Sequence, residues 1–218
     1  MDDATMPQFL LLDNDGVLVD SERLYFAANR SVLAEHGVDL DEDTFADLSL
    51  RQGIGVFHLV PGLDHADQEQ LRAERNRRYH QLLTEAGDLV LPGVRETLAT
   101  LAGRYRLAVV TSSRKDHFAA IHRHSGILDH VEFVLANGDY PHTKPAPDPY
   151  LAALHRFAAA PIDCVVVEDT PRGLASATAA GIRCIVQPSP FLTAADFPGA
   201  TAFIDRFADL PSAIAALS

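Results

Sequence analysis

Short apolar runs alternate along the chain with longer stretches of amphipathic pattern. The runs Phe9–Leu12, Leu107–Val110, Phe133–Leu135, Cys164–Val167, Cys184–Val186 and Ala202–Ile204 are too brief for helices, and their hydrophobicity is continuous. A strand covered on one face alternates apolar with polar positions, whereas a strand covered on both faces does not. The pattern therefore predicts buried parallel strands with helices between them, a doubly wound, Rossmann-like α/β core. Val94, Leu98 and Leu101 recur at helical spacing, as do Tyr150, Leu154 and Phe157. Thr170-Pro171 followed by Gly181 supplies an N-cap, a proline suited to a first helical turn and a glycine stop.

Residues 21–90 break the alternation. Tyr25, Ala28 and Val32 share one helical face, Gly37 stops that helix, Gln68 to Ala86 reads as a long polar helix, and Pro92-Gly93 marks the return. The expected organisation is a discontinuous core, 1–20 and 91–218, carrying an inserted all-helical domain at 21–90. Its place directly after the first strand sets it over the end of the sheet where that strand exits. No internal repeat or low-complexity segment interrupts either part.

Composition narrows the function classes. The 218 residues are 47% hydrophobic and 22% charged, enough for a sizeable core, and the formal charge is −12. A nucleic acid or an anionic membrane would bind against that field, so neither is an expected partner. Residues Met1–Pro7 are acidic and lead into only four apolar residues, which does not describe a secretion signal. No run approaches the roughly 20 apolar residues of a membrane span. Cys164 and Cys184 sit within strand runs and read as reduced structural thiols of a cytoplasmic protein; a disulfide would require their strands to be neighbours. The ten histidines are scattered, with no HxxxH spacing or His/Asp grouping that suggests zinc.

The chemistry-bearing residues gather at the ends of strand runs. Asp13-Asn14-Asp15-Gly16 follows the first run, and two carboxylates there repel unless positive charge sits beside them. A divalent cation is the simplest compensation, although Asp and Gly after a strand also build turns. Glu168-Asp169 follows a later run, and hard oxygens from two strand ends suit Mg²⁺. Thr111-Ser112-Ser113 ends the second run, offering hydroxyls and backbone N–H groups to phosphate oxygens, or else a plain helix cap. Lys144 is one of only two lysines and lies in a proline-stiffened segment, where it can neutralise a carboxylate and a phosphate or remain a surface lysine.

Asp13-x-Asp15-Gly16-Val17-Leu18, Thr111, Lys144-Pro145 and Glu168-Asp169, in that order, resemble the four motifs of the haloacid dehalogenase superfamily of phosphohydrolases. The likeness covers essentially the whole chain, and the helical insert is similar to the cap of the β-phosphoglucomutase-like and sugar phosphatase branch. The resemblance implies a nucleophilic Asp13 that forms an aspartyl-phosphate and an Asp15 that serves first as acid and then as base. It implies that Thr111, Ser112 and Ser113 hold phosphoryl oxygens and that Lys144 screens charge. Mg²⁺ would be bound by Asp13, the backbone carbonyl of Asp15 and Asp169, with Glu168 direct or through water.

Within that superfamily the dehalogenases lack the second aspartate of the first motif, which is Asp15 in this chain. The phosphonoacetaldehyde hydrolases need a cap lysine, and residues 21–90 contain none. The mutase pattern places histidine ten residues beyond the second aspartate, a position held by Tyr25. The expectation is a monomeric Mg-dependent phosphatase acting on a small phosphorylated metabolite, a sugar or polyol phosphate. A phosphosugar mutase and a non-catalytic phospho-ligand binder are the alternatives. In the cap, Leu48–Gly53 reads as a glycine-bearing specificity loop in which Arg51 is a candidate for a substrate hydroxyl or second phosphate. Arg72, Arg75, Arg77 and Arg78 read as a solvated face paired with Glu69 and Glu74, and Tyr25 as packing at the cap hinge.

Overall fold

The computed structural model describes residues 6–217; Met1–Thr5, read above as part of no secretion signal, and Ser218 lie outside them. Six strands form one sheet: β1 Phe9–Leu12, β2 Arg106–Val110, β3 Phe133–Leu135, β4 Cys164–Glu168, β5 Arg183–Val186 and β6 Ala202–Phe203. They run in the order β3-β2-β1-β4-β5-β6 and every pairing is parallel. Continuous hydrophobicity has the cause anticipated, because Leu10, Leu11, Leu12 and Val165–Val167 have no exposed surface. Leu11 and Val166 pack into the apolar cluster on one face of the sheet, and Leu10, Leu12, Val165 and Val167 into that on the other. The order in which strands are added reverses at β1, with β2 and β3 to one side and β4 to β6 to the other, so the crevice between its C-terminal end and that of β4 is open for a ligand.

The helices are α1 Glu22–Ala34, α2 Glu42–Phe45, α3 His65–Glu85, α4 Val94–Ala102, α5 Lys115–His122, α6 Asp148–Phe157, α7 Pro171–Ala179 and α8 Leu210–Ala215. Among the described residues no helix is long and apolar enough to cross a membrane. Thr170 caps α7 by accepting from the Gly173 N–H, and Val94, Leu98 and Leu101 are buried along α4. Helix α3 begins at His65 rather than Gln68, because Asp64 and Asp67 close a reciprocal capping box.

One local expectation is corrected and one agrees with the structure. Leu48–Gly53 is not a loop: α2 continues into a π-helical turn, Ala46–Gln52, that buries Ala46 and Leu50 and stops at Gly53 with φ of +70°. The two cysteines remain free although β4 and β5 are neighbours, because the register sets Cys184 opposite Val166 instead of Cys164.

The helical stretch between β1 and α4 shares apolar contacts with the sheet layer. Val32, Leu33, Leu40 and Phe45 join the cluster that contains Phe9 and Leu11. The rings of Phe26 and Phe45 meet that of Phe191, at centroid distances of 5.8 and 5.5 Å.

Candidate active site

Between the C-terminal ends of the central strands and the helices α1 and α3 lies a cleft of about 630 Å³. Its floor carries Asp13, Asp15, Thr111, Ser112, Ser113, Lys144 and Asp169, and its roof carries Tyr25, Phe57, Arg72, Arg75, Asn76 and Tyr79. Asp13 is fixed by parallel pairing, its N–H donating to the Val167 carbonyl at 2.9 Å. Lys144 Nζ donates to Asp13 Oδ1 and to the Val110 carbonyl, each at 2.8 Å, and lies 2.6 Å from Glu168 Oε1. With 4% of its surface exposed, the lysine is a buried charge that three oxygens hold in place. Burial disfavours its charged form, but the Asp13 and Glu168 carboxylates outweigh this and hold its pKa above the ordinary lysine value.

Asp13, Glu168 and Asp169 converge so that one oxygen of each lies within 4.8 Å of the others. Burial, reinforced by Glu168, pushes the Asp13 carboxyl up to about 8 despite the neighbouring ammonium. Asp169, buried and beside Glu22 and Asp13, is likewise shifted up. Its Oδ2 atom is buried without a hydrogen-bond partner. Gly16, with φ of +76°, passes so close to the Asp169 carboxylate that a Cβ at this position would collide with it. Three converging carboxylates against one lysine, with a buried oxygen left unpaired, fit a divalent cation bound through oxygen.

Glu168 stands behind the others, fully buried. Its Oε1 accepts from Tyr150 Oη and meets Lys144, while Oε2 accepts from the Asp169 N–H at 3.3 Å. Gly173 leaves room for this carboxylate, since a Cβ there would strike it. Both oxygens are thus committed to positioning Lys144 and the Asp169 backbone. Asp15 accepts from the hydroxyls of Ser21, Thr111 at 3.2 Å and Ser113 at 2.6 Å. Tyr140 Oη anchors the Thr111 carbonyl at 2.6 Å, and the Ser112 hydroxyl is buried without a partner.

On the roof, the arginines divide. Arg72 pairs with Glu69, and Arg77 and Arg78 with Glu74, as helical spacing predicts, while Arg78 also reaches Glu35 at the end of α1. Arg75 departs from the solvated-face reading. It donates to Tyr25 Oη and, at 3.0 Å, to Asn29 Oδ1, with its guanidinium 4.5 Å from the Tyr25 ring centre. Tyr25 therefore lines the cleft as well as packing against Tyr79. Arg51 does not reach the cleft: its Nε donates to Asp196 Oδ1 at 2.7 Å, tying the π-helical turn to the segment after β5. The π-helix, absent from the sequence reading, turns that side chain toward the core.

Glu22 was missed as a site residue. It opens α1, lines the cleft and accepts from the Ser189 hydroxyl. Burial pushes its carboxyl up to about 7. Arg172, also missed, lies beneath Gly53 and donates to the Lys144 carbonyl. The only sequence signal for either was nearness to a motif already recognised.

A sequence profile of haloacid dehalogenase-like hydrolases matches residues 10–187, a span that takes in all the floor residues. The chain belongs to this family. This haloacid dehalogenase-like hydrolase is 30% identical to the protein CbbY of Cereibacter sphaeroides over 94% of both chains. It is 30% identical to the phosphorylated carbohydrates phosphatase of Thermotoga maritima, over 81% of this chain and 82% of that one. A crystal structure of mutant CbbY from Rhodobacter sphaeroides in complex with xylulose-1,5-bisphosphate superposes with a TM-score of 0.76. The two are 27% identical, and the match covers 94% of this chain and 96% of the other.

Proposed function

We propose that this hydrolase is an Mg²⁺-dependent phosphatase of a small sugar or polyol phosphate, working through an aspartyl-phosphate on Asp13. The observation that carries the reading is the buried Lys144 held between Asp13 and Glu168 beside an unpaired Asp169 oxygen. Phosphoryl transfer asks for positioning and charge neutralisation more than for covalent chemistry by the protein. The named phosphatase relatives support the substrate class.

Asp13 and Asp169, with the Asp15 backbone carbonyl, would hold Mg²⁺, which supplies neutralisation of the phosphoryl oxygens. An Asp13 oxygen attacks phosphorus while Lys144 keeps that carboxylate oriented. The Thr111 hydroxyl and the Ser112 N–H take phosphoryl oxygens. When the Thr111 and Ser113 hydroxyls turn to the phosphate they release Asp15 Oδ2, and the Asp15 carboxyl, in its protonated form, gives its proton to the departing sugar oxygen. Asp15 then takes a proton from the water that opens the aspartyl-phosphate.

Tyr25 favours water over a sugar as the second acceptor. Its hydroxyl accepts from Arg75, so the position where the mutases place histidine offers a phenol held by a guanidinium. The test is release of inorganic phosphate from a panel of sugar, polyol and glycolate phosphates, with Mg²⁺ and with EDTA. Release that needs Mg²⁺ and falls by at least about a thousandfold in Asp13→Asn is expected for loss of a nucleophile. Turnover surviving that substitution sinks the mechanism. Conversion of β-glucose 1-phosphate to the 6-phosphate without phosphate release establishes a mutase instead.

A further inference from the structure

Away from the cleft floor, α3 and α5 bring His80, Asp116 and His117 together, one ligand atom of each within 4.8 Å of the other two. No spacing along the chain announces this group, because His80 comes from one helix and the Asp116-His117 pair from the first turn of another. His80 Nδ1 is buried without a hydrogen-bond partner. A buried ring nitrogen left unpaired calls for a partner of its own. One His117 ring nitrogen bonds the Asn76 backbone on α3, which sets the ring and leaves the other nitrogen to act. The Tyr79 ring meets His117 edge-on at 5.0 Å and holds it further. Asp116 receives Arg114 at 3.0 Å on each carboxylate oxygen, and a carboxylate has lone pairs to spare beyond these.

We propose that His80, Asp116 and His117 form a binding site for a zinc-type transition-metal cation that fastens α3 to α5. Two imidazoles and a carboxylate make a three-ligand set suited to Zn²⁺, with water as the fourth ligand, whereas Mg²⁺ prefers oxygen donors. Zn–N bonds of about 2.0–2.1 Å place two ligands of a tetrahedral ion roughly 3.3 Å apart. Rotation of the His80 and Asp116 side chains closes the remaining distance.

The site joins the two sides of the cleft. Helix α3 carries Arg75, Asn76 and Tyr79 of the roof, and α5 follows directly on Ser113-Arg114 of the floor. Cation binding therefore holds roof to floor and slows exchange of substrate and product, a consequence that rests on the phosphatase reading above. The binding itself does not.

Tag-free protein in saturating Mg²⁺, titrated calorimetrically with Zn²⁺ and followed by the visible spectrum of Co²⁺, tests the site. One equivalent is expected to bind wild type and Asp13→Asn alike, with affinity at least about tenfold weaker in His80→Gln. Equal uptake by His80→Gln overturns the site. In the same buffer Zn²⁺ is expected to slow phosphate release by wild type and to spare His80→Gln, which keeps full activity in Mg²⁺ alone. Equal inhibition of both places zinc at the acid cluster and overturns the fastening. If wild type releases no phosphate from any substrate, the phosphatase reading fails while the binding titration still decides the site.

Discussion

Asp13, Thr111 and Asp169 on the cleft floor each follow immediately on the last residue of a strand, β1, β2 and β4. On the roof, Tyr25, Arg75 and Asn76 stand on the faces of α1 and α3. Parallel pairing fixes the first group, because the last residue of a strand has one place in the sheet. The second group takes its place from how two helices pack, which adjacent residues do not disclose. The floor is accordingly a buried network in which a lost partner is expensive, and the roof a half-open surface in which most charges are interchangeable.

Removing a charge from the floor is the most severe way to test that contrast. Lys144→Met is expected to lower stability by about 3–5 kcal/mol, since it leaves Asp13 and Glu168 buried beside each other without a counter-charge. Urea denaturation with an unchanged m-value checks this. A cost below about 1 kcal/mol would mean that the floor behaves like a surface.

The next test reads the layer that supports the floor. His122 accepts at Nδ1 from Ser125 Oγ and donates from Nε2 to Asn14 Oδ1, the two contacts at 2.9 and 2.7 Å. Burial lowers its pKa from 6.5 to about 4, so the folded protein keeps it neutral where the unfolded chain binds a proton. Its contribution to stability is complete above pH 6.5 and declines as the pH falls toward 4, by up to about 3 kcal/mol. The slope of unfolding free energy against pH across this window should be shallower in His122→Gln. An identical slope would assign the acid sensitivity elsewhere.

Arg75→Leu sharpens the contrast within the roof. Among the described residues this guanidinium has no carboxylate partner and is held by the neutral oxygens of Tyr25, Asn29 and Asn76, which leaves its charge available to an anionic substrate. KM is expected to rise about tenfold, about 1.4 kcal/mol, with kcat changed less. Arg77→Leu, which removes only the pair with Glu74, should leave KM within about twofold. Equal effects would return Arg75 to the solvated face.

The smallest effect is expected for Arg51→Ala. A partly exposed ion pair with Asp196 is worth about 0.2–1 kcal/mol, measurable as the coupling in a double-mutant cycle with Asp196→Ala. KM should not move. A tenfold rise in KM would restore Arg51 to the substrate.

The same division explains what the sequence disclosed. Strand runs, the sheet class and the motif residues were legible because each depends on neighbours along the chain. Arg75, unlike Arg72, Arg77 and Arg78, has no acid three or four residues away on α3, but that it finds Tyr25 and Asn29 instead follows only from the packing of α1. Arg51 misled because a glycine after polar residues reads as a loop, whereas burial of Leu50 winds the segment into a π-helix. Glu22 and Arg172 carry no pattern; their roles come from the fold around them.

The sheet ends at both sides in its shortest strands, three residues in β3 and two in β6. Unpaired backbone at a sheet margin is a template on which another chain can add and polymerise, and a short margin offers few such groups. The longer strands β2 and β4 lie inside, their ladders filled on both sides. The enzyme therefore gives a neighbouring molecule little purchase for lateral strand addition, a protection against aggregation built into strand length alone.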